Sequence, residues 1–239
     1  MKFGEKKNLK EKTVVQKIIE EIKNSLIKEE LFPGDKLPSE EQLCKIFSVS
    51  RVSVREAIKM LSALGVVIIK RGDGTYISKG INSSITNSLV FQLILQEKSS
   101  EELAELRTML EIGILEVVMD KRTAEDIRKI EESIKNFEEE YSRGIIDREK
   151  LSKCDLDFHL KVIESTHNSL IIGIAEAIFQ LYITSFFKIL YKRSSVEESI
   201  KIHKMIFEGI KNRDIKKTRS VIYKASKRWQ ELLLNTKGK

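Results

Sequence analysis

Proline is scarce in this sequence and confined to its beginning. The 239 residues include only Pro33 and Pro38, and no proline follows Pro38. Because proline interrupts helices, a long proline-free stretch rich in Leu, Ile, Glu and Lys is typical of helical structure. We therefore expect a mostly α protein.

Cysteine is equally rare, and long apolar runs are missing. Cys44 and Cys154 are far apart and form no CxxC pair, which argues against a disulfide scaffold and a thiolate zinc site. No apolar run approaches the roughly 20 residues of a membrane helix, and the first residues lack the apolar stretch of a secretory signal. We expect a cytoplasmic protein without a membrane partner.

The positive charge is unevenly distributed. The chain carries a formal net charge of +7, with 16 basic and 11 acidic residues over 1–80 but 27 and 25 over 81–239. A basic excess at one end indicates a polyanionic partner there. We expect two domains, at 1–78 and 88–239, joined by a polar linker at 79–87.

The first domain shows the pattern of a winged helix-turn-helix. Three helices are predicted over 13–30, 39–46 and 51–64, followed by strand-like runs at 66–69 and 76–78. Helix starts are indicated by Ser39, with Gln42 completing a capping box, and by Ser50, while Gly65 closes the third helix. Three helices followed by a two-stranded hairpin predict this fold with a β wing.

The third helix carries two distinct stripes. The inward stripe consists of Val54, Ile58 and Leu61, and a basic stripe consists of Arg51, Arg55 and Lys59. Cations on the second helix of such a motif can enter the major groove and reach guanine edges and phosphates. Ser53 adds a hydroxyl beside them, and Arg71 with Gly72 forms the wing tip. A solvated basic face is the alternative, but the combined turn, cap, spacing and wing favour DNA binding.

Residues 14–78 resemble the DNA-binding domain of the GntR family of bacterial transcription regulators. The matching segments are Leu31-Phe-Pro-Gly-Asp-Lys-Leu-Pro-Ser-Glu40, Val49-Ser-Arg-Val-Ser-Val-Arg-Glu-Ala-Ile58, Leu64-Gly65 and Arg71-Gly-Asp-Gly-Thr75. The resemblance implies that Arg51, Ser53 and Arg55 contact bases and phosphates and that the Arg71-Gly72 turn reaches toward the minor groove. Glu41 departs from the family pattern, because many members have a DNA-contacting arginine there, and an anion repels phosphate.

The remainder of the chain is predicted to be a helical bundle. The expected helices run over 84–96, 99–120, 123–142, 147–166, 168–192, 195–211 and 214–235. Their expected N-caps are Ser99, Thr123, Asp147, Asn168, Ser195 and Asp214. Behind a GntR-type head, this bundle resembles the FCD effector-binding domain of the FadR subfamily. Supporting segments include Leu106-Arg-Thr-Met-Leu-Glu111, Asp155-Leu-Asp-Phe-His159 and Ile202-His-Lys-Met-Ile206.

Asp155 and His159 are the main candidates for site chemistry in the bundle. Four residues apart on a helix, they can share a cation or simply hydrogen-bond to each other, and spacing alone leaves both open. The FCD resemblance implies a metal site formed by Asp155, His159 and His203. The family's fourth ligand falls at Ala225, which cannot bind a metal. We expect one divalent ion per chain, Zn²⁺ or Ni²⁺, bound less tightly than by four ligands.

Arg107 is the candidate for effector binding. It precedes Glu111 by four residues, so a helical ion pair is one interpretation. In FCD proteins the equivalent helix lines the effector cavity, which implies the other interpretation, a clamp for a carboxylate.

The sequence leaves three candidate functions. The leading one is a ligand-responsive regulator, expected to be a repressor, that binds a palindromic double-stranded DNA operator as a homodimer and responds to a small organic acid. The second is a constitutive DNA-binding regulator whose bundle only dimerises. A metal-dependent enzyme is disfavoured, because the sequence has no HExxH motif or Gly-rich phosphate loop and the basic head would be unexplained.

Overall fold

The computed structural model describes residues 12–79, 95, 99–144, 147–189 and 193–236. The chain divides into two compact units, residues 1–88 and 89–239. The helix predicted over 84–96 and the linker predicted over 79–87 lie, apart from Lys79 and Leu95, outside the described residues.

The first unit contains three helices and a small hairpin. The elements are α1 (Val14–Ile27), α2 (Glu40–Phe47), α3 (Arg51–Ala63), β1 (Val67–Lys70) and β2 (Gly74–Ile77). Helix α3 packs against α1, α2 and β1. The buried side chains that hold these elements together are Ile18, Ile22, Leu37, Leu43, Val54, Ala57, Ile58, Leu61, Val67 and Ile77. This arrangement confirms the winged helix-turn-helix fold.

Local interactions set the ends of these elements. The Ser39 side chain accepts a hydrogen bond from the Gln42 amide while the Gln42 side chain accepts one from the Ser39 amide, so the predicted capping box is present. Gly65 ends the third helix with a φ of +72°, a conformation that favours glycine. In the antiparallel hairpin, Val67 pairs with Ile77, and the second strand begins two residues earlier than predicted.

Six helices form the described part of the second unit. They are α4 (Ser100–Lys121), α5 (Ala124–Ser142), α6 (Arg148–Glu164), α7 (Ser169–Ile189), α8 (Arg193–Lys211) and α9 (Ile215–Thr236). The N-caps predicted for five of them are present, at Ser99, Thr123, Asp147, Asn168 and Asp214. With these helices and the one hairpin found among the described residues, the mostly α fold is confirmed.

The cap predicted at Ser195 is wrong, because Ser195 lies inside α8. The buried residues Val196, Ile200 and His203 line one face of this helix and continue the helical pattern past the serine. Packing of an apolar face therefore outweighs the weak preference of serine for a helix start.

Around this unit, α4 packs on α9, α6 lies between α5 and α7, and α8 contacts α5, α6 and α9. The core is rich in aromatic side chains, including Phe137, Phe158, Phe179, Tyr182, Phe207 and Trp229. In the described part of the chain, no helix has both the length and the apolar character needed to cross a membrane.

Candidate functional site

The first group of candidate residues lies on α3. The buried stripe of this helix, predicted at Val54, Ile58 and Leu61, faces the core of the unit. At its start, the Ser50 hydroxyl oxygen accepts a hydrogen bond from the Ser53 amide at 3.2 Å. The core contacts and the cap fix the rotation of the helix. The remaining face then exposes the predicted basic stripe of Arg51, Arg55 and Lys59.

Two carboxylates of α2 lie beside this stripe. Arg55 donates to Glu40 Oε2 at 3.2 Å, and Arg51 Nη2 lies 3.8 Å from Glu41 Oε2. All four side chains are more than one-third exposed, so water screens both pairs and each contributes little to stability. Both arginines can therefore exchange a carboxylate for another anion at small cost. The sequence singled out Glu41, but not its contact with Arg51.

The predicted wing tip lies between β1 and β2. Arg71 is exposed, and Gly72 has a φ of +76° with open space around it. Behind the tip, Asp73 accepts hydrogen bonds from Lys36 Nζ at 3.0 Å and from the Tyr76 hydroxyl at 2.9 Å. The Lys36 contact is the largest cause that holds the pKa of Asp73 below its usual value. The contact between Asp73 and Lys36 connects the wing to the segment before α2.

Sequence reasoning missed one prominent residue of this face. Val52, between Arg51 and Ser53, is 75% exposed, so an apolar side chain lies beside the basic stripe. The helical spacing could have indicated that Val52 is exposed, since Val52 falls outside the inward stripe that begins at Val54. Ser53 is partly buried, and its hydroxyl lies 3.0 Å from that of Ser50.

The second group of candidates lies inside the helical unit. Asp155 and His159 are one turn apart on α6, and His203 comes from α8. His159 Nε2 lies 3.9 Å from Asp155 Oδ2, and His203 Nε2 lies 3.5 Å from Asp155 Oδ1. All three residues are buried, and one ligand atom of each lies within 4.8 Å of the others. The structure thus brings together the three residues predicted to share a metal ion.

Neighbouring side chains position this cluster. Ser199 on α8 donates a hydrogen bond to Asp155 Oδ1. The His203 ring stacks on Phe158 at a centroid distance of 3.9 Å, and its Nδ1 atom has no hydrogen-bond partner among the described residues. His203 is therefore held mainly by packing, whereas Asp155 is held by a hydrogen bond.

Burial sets the protonation states of the cluster. Burial raises the pKa of Asp155 to about 6, although the Ser199 hydrogen bond and the charge of Arg107 act in the opposite direction. Burial is also the main cause that lowers the pKa of His203 to about 3 and that of His159 well below its usual value. Near neutral pH the cluster offers one carboxylate and two neutral imidazoles, which are the forms that bind metals.

Arg107 on α4 contacts the same cluster. Its Nε atom donates to Glu111 Oε1 at 2.9 Å, which is the helical ion pair that the spacing left open. Its Nη2 atom lies 3.2 Å from His159 Nε2, and its guanidinium carbon lies 5.3 Å from the Trp229 ring centroid. The candidate effector-binding arginine is thus buried beside the candidate metal ligands.

A cavity of about 60 Å³ opens beside the cluster. Its wall includes Arg107, Asp155, His203 and Ala225. Ala225, where the FCD resemblance places the family's fourth ligand, lines this cavity with a short side chain.

Two family models match most of the described chain. Residues 14–77 match "Bacterial regulatory proteins, gntR family", and residues 102–224, about half of the chain, match the FCD domain.

Individual relatives agree with these matches. The "HTH-type transcriptional regulator LutR" of Bacillus subtilis is 31% identical over 188 residues, which are 76% of this chain and 83% of the relative. The "Galactonate operon transcriptional repressor" of Escherichia coli is 26% identical over 76% of this chain and 80% of its own. The solved structure "Streptococcus agalactiae GntR" covers 91% of this chain and 99% of its own, with a TM-score of 0.58 and 21% identity, and supports the fold.

Proposed function

Since this chain belongs to the GntR family of bacterial regulatory proteins and carries an FCD domain, we propose that it is a ligand-responsive repressor acting on a palindromic operator. The family and the relatives make it a DNA-binding transcription regulator rather than an enzyme. Repression is supported by the name of the galactonate operon relative. The proposed location is the cytoplasm, where such a protein meets DNA.

The exposed basic stripe on α3 is the observation that carries the proposal. Arg51 and Arg55 occupy the part of a recognition helix that faces base edges, and their exposed pairs with carboxylates are easily exchanged. Lys59 lies one turn further on, where it can bind a phosphate. Ser53 adds a short hydroxyl beside the arginines.

The wing extends this proposed interface. Arg71 at its tip supplies a cation, and Gly72 allows the backbone to approach the duplex closely because it has no side chain. Arginine is well suited to the negative potential of a narrow minor groove. We therefore assign Arg71 and Gly72 to the minor-groove side of the interface.

The proposed domain roles follow the predicted boundaries. Residues 1–78 bind DNA, residues 79–87 form a linker, and residues 88–239 bind the effector and form a homodimer. A homodimer places two recognition helices on half-sites about one duplex turn apart. An effector changes DNA affinity only if it favours one dimer geometry over another.

The residues of the buried cluster fit a divalent metal ion. Tetrahedral ligands about 2.1 Å from an ion are about 3.4 Å from each other. His203 Nε2 lies 3.5 Å from Asp155 Oδ1, and His159 Nε2 lies 3.9 Å from Asp155 Oδ2. One ligand atom of each of the three residues lies within 4.8 Å of the others, so small side-chain movements would bring them around an ion. Asp155, His159 and His203 would hold Zn²⁺ or Ni²⁺, with Ala225 leaving a position open. When bound, the ion supplies a Lewis acid for an anionic effector.

A small organic acid is the effector that this site suits best. Arg107 offers a guanidinium whose planar donors match a carboxylate, and it lines the cavity beside the cluster. The polar groups of Arg107 and Asp155 would orient the acid.

A constitutive DNA-binding regulator is the second candidate function. Two observations favour it: Ala225 replaces a ligand, and Glu111 already supplies Arg107 with a carboxylate. In that case the helical domain only dimerises, and no organic acid changes DNA affinity.

Selection from a random duplex library with the full-length protein tests the proposed function. The proposal predicts enrichment of one palindrome, with half-sites about 10 base pairs apart. A panel of short organic acids is then added to the complex in the presence of Zn²⁺. Release by one acid supports the repressor, and an unchanged complex across the panel supports the constitutive regulator. Recovery of no enriched sequence contradicts both.

A further inference from the structure

The outward side of α4 carries charges of one sign. Its exposed residues between positions 100 and 121 are Glu101, Glu102, Glu105, Met109, Gly113, Glu116 and Asp120. Five of these seven residues are carboxylates and none is a cation. Glu101 and Glu105 are four residues apart, as are Glu116 and Asp120, and like charges at this spacing destabilise a helix in water. An acidic stripe of this kind is stabilised by a cationic partner.

The outward side of α9 carries the opposite charge. Its exposed residues between positions 215 and 229 are Lys216, Lys217, Arg219, Ser220, Tyr223, Lys224, Lys227 and Arg228. Six of these eight residues are cations and none is a carboxylate. In contrast, α5 mixes the two signs, and Glu131 pairs with Lys135 one turn away. Mixed signs are typical of a helix face that meets only water, so α4 and α9 depart from that pattern.

The acidic and basic stripes lie side by side. The Thr108 hydroxyl donates to the Ser226 hydroxyl at 2.5 Å, and Arg219 pairs with Glu116. Residue numbers therefore rise along α4 in the direction in which they fall along α9, so the two helices are antiparallel neighbours. We call their combined exposed residues the α4–α9 face.

The middle of the α4–α9 face is apolar. Met109 is 63% exposed and Tyr223 is 59% exposed, although both are large side chains that gain from burial. A Cβ added to Gly113 would meet nothing within 4 Å, so the backbone of another helix can approach α4 closely there. An apolar centre between charged residues is the usual anatomy of a protein interface.

The α4–α9 face is complementary to a second copy of itself. A rotation of 180° about an axis parallel to the helices places α4 of each copy on α9 of the other, so the acidic stripe meets the basic stripe twice. This rotation keeps every residue at its level along the axis. Glu105, one turn before Thr108, then lies near the partner's Lys227, which follows the partner's Ser226.

The size of the α4–α9 face also suits a dimer. Each helix has 22 residues and is about 33 Å long, and two neighbouring helices are about 20 Å wide. This area is on the order of the 800 Å² that each partner buries in a stable complex. A DNA duplex could meet the basic stripe alone, but the acidic stripe beside it repels phosphates. The two stripes together therefore favour a second copy of the chain over DNA.

We propose that the α4–α9 face is the dimer surface of this chain, with α4 of each copy bound to α9 of the other by opposite charges around Met109 and Tyr223. This inference rests on the homodimer of the proposed function and identifies its surface.

Reversal of single charges tests the surface. Sedimentation velocity of the full-length protein, labelled for detection at low concentration, measures the dissociation constant of the dimer. Glu105→Lys and Lys227→Glu should each raise this constant about tenfold or more, because each change places two like charges together twice in the dimer. The double variant restores opposite charges and should return to within about threefold of the wild type. Single variants that dimerise like the wild type, or a double variant no better than either, overturn the proposal.

A matched pair of charges on α5 provides the control. Glu131→Lys and Lys135→Glu reverse exposed charges away from the α4–α9 face, and each should change the dissociation constant by less than about twofold. An effect as large as that of Glu105→Lys would indicate a general response to net charge and overturn the proposal. So would a Lys227→Glu variant that binds DNA more weakly but dimerises like the wild type, since the basic stripe would then contact DNA.

The wild type alone gives a second test that no misfolded variant can affect. Its dissociation constant should rise about tenfold between about 0.05 and about 0.5 M NaCl, because salt screens exposed charge pairs. A dimer whose affinity is independent of salt overturns the α4–α9 face but leaves the homodimer of the proposed function intact. A wild type that stays monomeric contradicts that homodimer and the proposed surface together. Circular dichroism verifies the folding of each variant.

Discussion

His167 Nε2 donates a hydrogen bond to Asp126 Oδ2 across 2.7 Å and so joins the turn after α6 to the first turn of α5. The same carboxylate accepts from the Thr123 amide at 2.7 Å, as the partner in a capping box. Burial acts to raise the pKa of Asp126, but the hydrogen bonds from Thr123 and His167 outweigh it and the pKa is lowered.

We expect Asp126→Ala to destabilise the helical domain by about 1–2 kcal/mol, since it removes the carboxylate half of the capping box and the contact with His167. A lowered folded pKa means that the carboxylate stabilises the fold above its unfolded pKa near 3.8, and that this contribution is lost as the pH falls through the lower folded pKa. Urea unfolding at pH 7 and pH 3 measures both effects.

The matched control for this prediction is Glu131→Ala, which removes an exposed carboxylate from the same helix. It should change stability by less than about 0.5 kcal/mol. If Asp126→Ala is as stable as this control at pH 7, the carboxylate does not cap α5 in solution.

His159→Ala is predicted to abolish metal binding. Purified wild-type protein exposed to Zn²⁺ and then desalted should retain about one ion per chain, because the buried side chains of Asp155, His159 and His203 can all bind it. The variant should retain little, since two ligands hold zinc weakly. Elemental analysis gives the ratio. His167→Ala, which removes an exposed histidine, should retain the ion, and loss of metal from both variants would argue against the cluster as the site.

Glu41→Gln is predicted to strengthen DNA binding. The change removes an anion from the proposed interface and releases Arg51 from its contact at 3.8 Å. We expect affinity to rise about two- to fivefold at low salt, the range of one exposed charge pair, and the gain to shrink at high salt. Fluorescence anisotropy with the selected duplex measures it.

Glu131→Gln is the control, because it neutralises an exposed glutamate that also pairs with a basic residue. An equal gain in both variants would indicate a general charge effect rather than a role for Glu41 at the interface.

Val52→Ala is predicted to change sequence preference rather than stability. An exposed apolar side chain at the start of a recognition helix can contact the methyl group of thymine. We expect selection by the variant to lose roughly three- to tenfold of its preference for thymine at one position in each half-site. The thermal midpoint should stay the same, because Val52 is 75% exposed. An unchanged selection profile would remove Val52 from the readout.

Local signals in the sequence were sufficient for most of the fold. The caps at Ser39, Ser50 and Thr123 and the proline-free stretch placed the helices to within a few residues, because capping and periodicity act over one or two turns. The cap predicted at Ser195 was wrong, because the packing of α8 extends the helix past this serine. The meeting of Asp155 with His203 came from family resemblance, because the contact joins two helices.

Other features of the sites depend on tertiary contacts and left no local signal. The contact between Arg107 and His159 spans 52 positions, and that between Arg55 and Glu40 spans 15. No periodicity within one helix specifies which side chains of another helix will face it. The cavity beside Ala225 likewise depends on how α4, α6, α8 and α9 pack together.

The binding of full-length protein to its selected duplex tests the central claim most directly. Arg51→Ala and Arg55→Ala are compared with Arg128→Ala, which removes an exposed arginine of α5 that also pairs with a glutamate. We predict that each recognition-helix variant binds the duplex about tenfold or more weakly, in line with the loss of one base contact, and that Arg128→Ala binds like the wild type. Equal affinity in all four proteins would contradict the assignment of α3 as the DNA-binding surface.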